Sequence, residues 1–460
     1  MNLVYGVNDR PPIARTLVFA LQQLLAILAA TIAVPMIVGN GMSTSAALFG
    51  AGVGTLVYQL FTKFRSPVFL GSSFAFLGSM GAAFLGAAGN VAAGYLGLIV
   101  GAIMAGLVYV VLAIVVKYAG VKWISKLMPP VVIGPTVAII GLSLAGNAIG
   151  DLTKGSVLDL LQKPVCSPYV ALLCGLVTLG VTIACSVYGK KMLKMIPFII
   201  GIVAGYAVAT VFTVIGTVAE VDALKVINFG LFKNMQWLPD FTFVTAFKGF
   251  GDFKWTTLAA VAVAYIPVAF VVFAEHIADH KNLSSIIGSD LLEEPGLNRT
   301  LLGDGVGSMV GAFFGGCPNT TYGESVGCVA ISGNASVVTI TVTAFMAIVA
   351  SFFAPFVTFL ATIPSCVMGG VCIALYGFIA VSGLKMVQKV DLGDNRNLFV
   401  VSVILIAGVG GMTLSFGDVT ITSVACALIL GILTNLLVSV GKGKTEEAAE
   451  EAPETPSEEE

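Results

Sequence analysis

Two stretches of this 460-residue chain decide its fold: PVFLGSSFAF at residues 67–76 and CPNTTYGES at residues 317–325. Each is polar and glycine-containing at its start, and each continues into an apolar run. Lipid offers the backbone no hydrogen-bond partner, so non-helical backbone at membrane depth must line a cavity or be buried in protein. The two stretches therefore predict extended segments that interrupt membrane spans beside an internal site.

The composition predicts that most of the chain lies in a membrane. Of its residues, 57% are hydrophobic and 10% are charged, and the mean hydropathy is +0.99. Soluble domains carry roughly 25% charged residues. Because the first two apolar stretches are not separated by a small-residue cleavage site, a removable signal peptide is not expected. Spans of about 20 apolar residues predict fourteen segments: 14–38, 45–62, 68–86, 91–116, 129–150, 168–188, 195–216, 256–277, 299–316, 318–335, 337–362, 364–384, 397–415 and 420–440.

The basic residues set the expected orientation. With both termini in the cytoplasm, 17 of the 23 Lys and Arg residues fall in cytoplasmic segments and 6 on the opposite side. Short loops follow this positive-inside distribution. We therefore predict a bacterial inner-membrane protein with a cytoplasmic N-terminus at 1–13 and an extracytoplasmic loop at 217–255. Residues 441–460 are predicted to form a disordered, acidic cytoplasmic tail.

A weak internal repeat divides the chain into residues 14–216 and 256–440. Pro129 with Gly134, and Pro364 with Gly369, open the fifth and twelfth segments in the same way. The interrupted segments are third and tenth, seven spans apart, so the second copy enters the membrane from the opposite side. Inverted repeats with broken elements are typical of secondary transporters, whose site lies near the midplane. Chance coincidence of Gly and Pro remains the alternative, since both are common in membrane helices.

Acidic residues inside apolar spans indicate the expected chemistry, because they are costly in lipid and face a cavity or a partner. Glu275 follows the run IPVAFVVFA and shares a helix face with Asp279, four residues on, while Glu324 lies in the tenth segment. Carboxylates bind N–H donors strongly, and in a cavity they can also take up a proton. With Phe74 or Tyr322 for stacking, these residues predict a site for a small, neutral, planar heterocycle.

Three other interpretations stay open at this point. The cluster Glu275, His276, Asp279 and His280 has the i, i+4 histidine spacing of a metal-binding helix, so an intramembrane metalloenzyme is the rival class. However, it lacks the HExxH order, and the neighbouring Lys281 places His280 at the cytoplasmic interface. An anion carrier of the same plan is disfavoured because two carboxylates would repel an anion. Asp304 either lines the cavity or caps a helix start.

Five motifs are distinctive: LQQLLAILAATIAVP (21–35), GSSFAF (71–76), AEHIADH (274–280), SDLLEEPGLNRTLLGDG (289–305) and PNTTYGESVG (318–327). They resemble the nucleobase–ascorbate transporter family, and most closely its bacterial uracil permeases. The resemblance extends from about residue 5 to residue 440, and the last three motifs together are highly specific.

The resemblance implies an all-α membrane protein of fourteen segments in two inverted sevens. Segments three and ten would each begin with a short antiparallel strand. The core domain would comprise 14–116 and 256–362, and the gate domain 129–216 and 364–440. It further implies a homodimer that imports uracil together with protons by an elevator-like movement of core against gate, with no cofactor, metal or nucleic acid. A purine or xanthine permease of the same fold is the main alternative, because pocket size cannot be read from the sequence.

Carried over position by position, the resemblance also assigns site residues. Glu275 and Glu324 would bind uracil, with Phe74, Tyr322 and Gly323 bordering it. Glu324 favours uracil, since purine-type relatives generally carry an amide in this stretch. The candidates for the coupled proton are Glu275, Asp279 and Glu324, and the supporting residues are Gln23, Ser73, Ser325 and Asp304.

Three positions depart from the family pattern. Ser325 replaces a usual Asn, and Gln22-Gln23 stands where many members have Gln-His. Asp279 occupies a position where some uracil permeases carry a histidine implicated in proton coupling. The residue that carries the proton is therefore the least determined assignment. The eight cysteines lie in or beside apolar spans without a CxxC pair, and they are expected to be small buried residues.

Overall fold

The computed structural model describes residues 3–120, 123, 128–159, 163–190, 192–416 and 419–439. The predicted acidic tail at 441–460 lies outside these residues. The protein is predominantly helical. The helices of its first half are α1 (Ile13–Val38), α2 (Thr44–Phe61), α3 (Leu77–Gly86), α4 (Val91–Ala119), α5 (Pro130–Ser143), α6 (Ala145–Asp151), α7 (Pro168–Tyr188), α8 (Met192–Met195) and α9 (Pro197–Val218).

The second half follows the same pattern of long and interrupted helices. Two strand pairs complete the described structure: β1 (Leu70–Ser72) with β2 (Asn319–Thr321), and β3 (Leu414–Phe416) with β4 (Val419–Ile421). The helices are α10 (Thr242–Ala246), α11 (Trp255–Ile287), α12 (Leu297–Gly315), α13 (Gly323–Ser332), α14 (Val337–Ser351), α15 (Ala354–Thr362), α16 (Ser365–Val387), α17 (Asn395–Val409) and α18 (Ser423–Ser439).

Within the described part of the chain, eight helices are long and apolar enough to cross a membrane. A ninth span results if α14 and α15, which are bent by 83°, are taken together. The shorter apolar helices α17 and α18, and the stretch Phe74–Gly86, are below the length of a simple span. The chain is thus a multi-pass membrane protein, while the count of fourteen segments stays a prediction.

Two predicted spans differ from the structure. The segment 337–362 is not one straight helix, because Pro355 in the first turn of α15 could not sit inside a continuous helix without clashing with the preceding turn. The segment 256–277 is longer than predicted, since α11 continues to Ile287 and ends only at Gly288 in the left-handed conformation. His280 consequently lies inside the helix and is fully buried within the protein, while its place at the cytoplasmic interface stays a prediction.

The strands β1 and β2 pair antiparallel across the two halves of the chain, with Gly71 opposite Thr320. Each lies in one of the interrupted segments quoted at the outset. Side chains form hydrogen bonds with backbone groups at the ends of this short strand pair. Thr55 Oγ1 accepts from the Leu70 N–H at 2.9 Å, and Asn319 Nδ2 donates to the Gly50 carbonyl at 2.9 Å. All six strand residues are buried.

Close packing of α2 on α12 holds these strands in place. A Cβ added to Gly50 would lie 2.5 Å from the Gly311 carbonyl oxygen, and one on Gly54 would lie 2.8 Å from that of Gly307. Both helices therefore present a Gly-xxx-Gly face, which lets membrane helices approach within backbone contact. The strand residue Asn319 fills the remaining space beside Gly311.

Candidate functional site

A cavity of about 300 Å³ lies where β2 and α13 meet α11, α5 and α16. We call it the carboxylate cavity. Its volume is at the lower end of small-molecule pockets, which span roughly 300–1,000 Å³. Besides Ala, Val, Ile and Pro side chains, it is lined by Ser73, Phe74, Ser186, Lys194, Met195, Phe198, Glu275, Asp279, Asn282, Thr320, Thr321, Tyr322, Gly323, Glu324, Gly327, Cys328, Phe378 and Ser382.

The helix α11 contributes the first two carboxylates. Glu275 and Asp279 are one helical turn apart and both line the cavity, as their i, i+4 spacing requires. The Asp279 carboxylate accepts a hydrogen bond from Thr321 Oγ1 at 2.7 Å, which connects α11 to the end of β2. Glu275 lines the same cavity one turn earlier on α11, at the depth of the strand ends.

The third carboxylate belongs to the turn that follows β2. Tyr322 is extended, Gly323 begins α13, and Glu324 lies in the first turn of that helix. A negatively charged side chain is favoured there because the helix N-terminus carries a partial positive charge. The strand-to-helix turn therefore places Glu324 at the cavity wall, together with the backbone of Gly323.

The corresponding turn after β1 supplies the opposite wall. The Ser73 N–H donates to the Pro318 carbonyl at 2.9 Å, so this turn is joined to the start of the second interrupted segment. Among the described residues Ser73 Oγ has no hydrogen-bond partner, although it is buried. Phe74 follows, 7% exposed, with its ring edge against Tyr376 of α16 at a centroid distance of 5.5 Å.

Tyr322 and Gln23 brace this arrangement from behind. The Tyr322 hydroxyl donates to the Ser72 carbonyl at 2.8 Å, and its ring lies over Gly71, where an added Cβ would be 2.3 Å from the ring. Gln23 Nε2 of α1 donates to Ser325 Oγ at 2.5 Å. Gln23 and Ser325 are therefore buried partners of each other and do not line the cavity.

Asp304 lies outside the carboxylate cavity, in the middle of α12, so the helix-cap alternative is wrong. Its carboxylate accepts from His276 Nδ1 at 2.7 Å, and both side chains are buried. His276 Nε2 is 3.0 Å from Thr300 Oγ1. The pair links α11 to α12, and His276, next to Glu275 in sequence, lies on a different side of α11.

The four residues of the metal-binding hypothesis do not converge. Glu275 and Asp279 line the cavity, whereas His276 contacts Asp304 and His280 Nε2 accepts from the Tyr58 hydroxyl at 2.8 Å. Within the described ranges there is no group of three or more His, Cys, Asp or Glu residues that could hold a metal ion. The histidines instead form a buried polar network between α11, α12 and α2.

Sequence reasoning missed the cavity residues contributed by other elements. Thr321 hydrogen-bonds Asp279, and its position before Tyr322 in the polar stretch NTTYGES was the available signal. Ser382, Asn282 and Lys194 line the mouth of the cavity. Nothing in the local sequence marks Ser382, because its place depends on how α16 packs.

Comparison with known proteins identifies the family. The model described as the Permease family matches residues 14–416. Uracil permease of Bacillus caldolyticus is 40% identical over 95% of this chain and 94% of its own length. Uracil permease of Bacillus subtilis is 36% identical over 97% and 98%, and that of Escherichia coli is 34% identical over 94% and 93%. This chain belongs to the nucleobase–ascorbate transporter family.

Solved structures support the fold of this family member. The transmembrane domain of the cyanobacterial bicarbonate transporter BicA superposes with a TM-score of 0.64 at 16% identity, covering 95% of this chain and all of that domain. The anion transporter SLC26A9 gives 0.63 at 13% identity, covering 94% of this chain and 66% of its own. At such low identity the likeness concerns the fold alone. This chain and these two transporters therefore share an architecture.

Proposed function

We propose that this protein imports uracil by proton symport. Three carboxylates in a small cavity, Glu275, Asp279 and Glu324, carry this proposal. Glu275 and Glu324 line the cavity beside the aromatic Phe74. Carboxylates accept hydrogen bonds from the two ring N–H groups of uracil, and backbone N–H groups at the turns can bind its carbonyl oxygens. The relatives named uracil permease, 34–40% identical over nearly their full length, support the same substrate.

Proton coupling rests on the same carboxylates. A proton carried on Glu275, Asp279 or Glu324 neutralises a charge that would otherwise have to cross the membrane with the loaded core. Of the three, Asp279 is linked directly to β2, because Thr321 Oγ1 donates a hydrogen bond to its carboxylate. Loss of that proton on the cytoplasmic side would weaken the site and release the substrate.

The proposed mechanism is an elevator-type alternating access. In this mechanism the core comprises residues 14–116 and 256–362, and it contains the turns after β1 and β2 and the three carboxylates. The gate comprises residues 129–216 and 364–440, and it contributes Phe378 and Ser382 to the cavity wall. We further propose fourteen segments, cytoplasmic termini in a bacterial inner membrane, and a homodimer. Because Lys194, in a segment predicted to be cytoplasmic, lines the cavity, we also propose that the described conformation is inward-facing.

Uptake into proteoliposomes tests the proposal. Radiolabelled uracil should accumulate under an imposed inward proton gradient, resist competition by xanthine, and lose accumulation when the gradient is dissipated. The Glu293→Gln variant makes the same change at an exposed position outside the cavity, so it is the matched control for Glu275→Gln, which should abolish uptake. Accumulation of xanthine instead of uracil would overturn the substrate but keep the transporter. Absence of gradient-driven uptake of either nucleobase would overturn the proposed function.

A further inference from the structure

A second cavity of about 340 Å³ lies on the other side of Phe74. Along α1 the carboxylate cavity contacts Ala26, whereas the second cavity contacts Ile37 and Val38 at the C-terminal end of the same helix. At 1.5 Å per residue the two are separated by about 16 Å along that axis. The second cavity therefore lies at a different depth in the membrane, toward the opposite face.

The inverted repeat relates the linings of the two cavities. The starts of β1 and β2 are 249 positions apart, which pairs Phe74 with Gly323, Ala75 with Glu324, and Gly78 with Gly327. In each pair, the first residue lines the second cavity and its counterpart lines the carboxylate cavity. The agreement is not a consequence of sequence similarity, because only the last pair is identical.

The fifth and twelfth segments repeat this correspondence independently. Pro129 and Pro364, 235 positions apart, set their register. With that register, the residues Ser143, Leu144 and Asn147 of the second cavity pair with Phe378, Ile379 and Ser382 of the carboxylate cavity. The two cavities are thus images of each other, and in an inverted repeat such images open to opposite sides of the membrane.

Only Phe74 lines both cavities among the residues that the structure describes. Its side chain is 7% exposed, and its ring meets Tyr376 edge-on, at an interplanar angle of 82°. Phe74 follows β1, which pairs with β2 of the second half, whereas Tyr376 belongs to α16. The ring pair therefore forms a contact between the strand pair and α16, at the place where the two cavities come closest.

We propose that the second cavity is the outward half of the substrate pathway, and that Phe74 packed on Tyr376 is the barrier that separates the two halves. This inference rests on the proposed function for its substrate class, a neutral planar heterocycle with N–H and C=O edges. Ser143, Asn147 and Thr422 provide the polar groups of the outward half. Thr422 Oγ1 is buried and has no hydrogen-bond partner among the described residues.

Cysteine accessibility tests the two halves with a matched pair of variants. Asn147→Cys and Ser382→Cys occupy equivalent repeat positions, so they should react with a membrane-impermeant thiol reagent from opposite sides. We expect Asn147→Cys to be labelled in intact cells and Ser382→Cys in inverted membrane vesicles. Both variants carry Cys185→Ser and Cys328→Ser in addition, because Cys185 is half-buried and Cys328 lines the carboxylate cavity, whereas the other six cysteines are buried; the same chain without the new cysteine gives the background. Labelling of both variants from the same side would overturn the inference.

Removal of the Phe74 ring tests the barrier. With Phe74→Ala, Ser382→Cys should become reactive from the outer face as well, whereas Phe74→Leu, which keeps most of the side-chain volume, should leave it protected. Continued protection of Ser382→Cys in the Phe74→Ala variant would show that other side chains seal the path, and would overturn the role of Phe74. These readouts require no transport, so failure of uracil uptake alone would leave them unaffected.

Discussion

At the scale of single residues, the site depends on carboxylates whose neighbours differ. Asp279 is held by Thr321, Glu324 lies at a helix N-terminus, and Asp304 is bonded to a histidine away from the cavity. The sequence identified all of these acids as intramembrane groups. The sequence could not show that Asp304 lies outside the carboxylate cavity, because its position depends on which side of α11 faces α12.

The first prediction concerns Glu275. If Glu275 binds uracil as a carboxylate while Asp279 or Glu324 holds the proton, Glu275→Gln removes a charged acceptor, and hydrogen bonds to charged groups contribute about 1.5–3 kcal/mol. Uracil affinity should therefore fall roughly 10- to 150-fold. Isothermal titration calorimetry of the purified variant measures this directly, without transport. An unchanged dissociation constant would remove Glu275 from the binding site.

The second prediction concerns the buried pair His276 and Asp304. Asp304→Ala leaves a buried imidazole N–H without its acceptor, and an unsatisfied buried donor costs about 1–3 kcal/mol. We expect a loss of this order in the free energy of unfolding, measured by denaturant titration in mixed micelles. Asp304→Asn keeps an acceptor oxygen and should lose about 1 kcal/mol. Equal losses for both variants would show that the hydrogen bond itself is unimportant to stability.

At the scale of elements, the strand pair and the two helices that follow it form the structural unit of the site. Short strands at membrane depth are stable here because Thr55, Asn319 and the Tyr322 hydroxyl form hydrogen bonds with nearby backbone groups. The interruptions were readable as polar, glycine-containing starts of otherwise apolar segments. Their pairing partner was not readable from residue properties, since β1 and β2 are about 250 residues apart in the chain.

The third prediction tests this unit through Gly71. An added Cβ would lie 2.3 Å from the Tyr322 ring, so Gly71→Ala must displace the ring and strain the strand pair. Overpacking of this kind costs about 1–3 kcal/mol. The free energy of unfolding should fall by that amount, and uracil affinity should fall with it.

Gly180→Ala is the control for the Gly71 prediction. Gly180 lies in α7, and an added Cβ there meets nothing within 4 Å. A helical Gly→Ala change in open space stabilises by about 0.4–1 kcal/mol. If Gly71→Ala were as harmless as Gly180→Ala, the contact of the Tyr322 ring with β1 would not be structurally important.

At the scale of the whole molecule, the fold contains two cavities whose linings are related by the inverted repeat, and Phe74 lines both of them. In the proposed cycle, one bound proton accompanies a neutral substrate, so a net positive charge crosses the membrane. The membrane potential then becomes a driving force in its own right. It acts on the complete transport cycle, whichever carboxylate holds the proton.

The fourth prediction follows from this charge movement. An inside-negative potential of about 100 mV supplies about 2.3 kcal/mol per charge, which corresponds to roughly 50-fold accumulation of uracil at equilibrium for one proton per substrate. Uracil accumulation is measured in proteoliposomes that have a potassium diffusion potential, set by valinomycin, and no pH gradient. The control is omission of valinomycin, because a protonophore does not remove the potassium potential. Accumulation that ignores the potential would mean that no net charge moves with uracil.

The sequence by itself determined the membrane class, the two interrupted segments, the intramembrane acids and the family resemblance. These follow from hydropathy, local turn residues and motif identity, all of which are local properties of the chain. The tertiary structure decided that His280 is buried, that Asp304 on α12 contacts His276 of α11, and that Phe74 lines two cavities. Those outcomes depend on which faces of separate helices pack together, and such contacts leave no local signal in the chain.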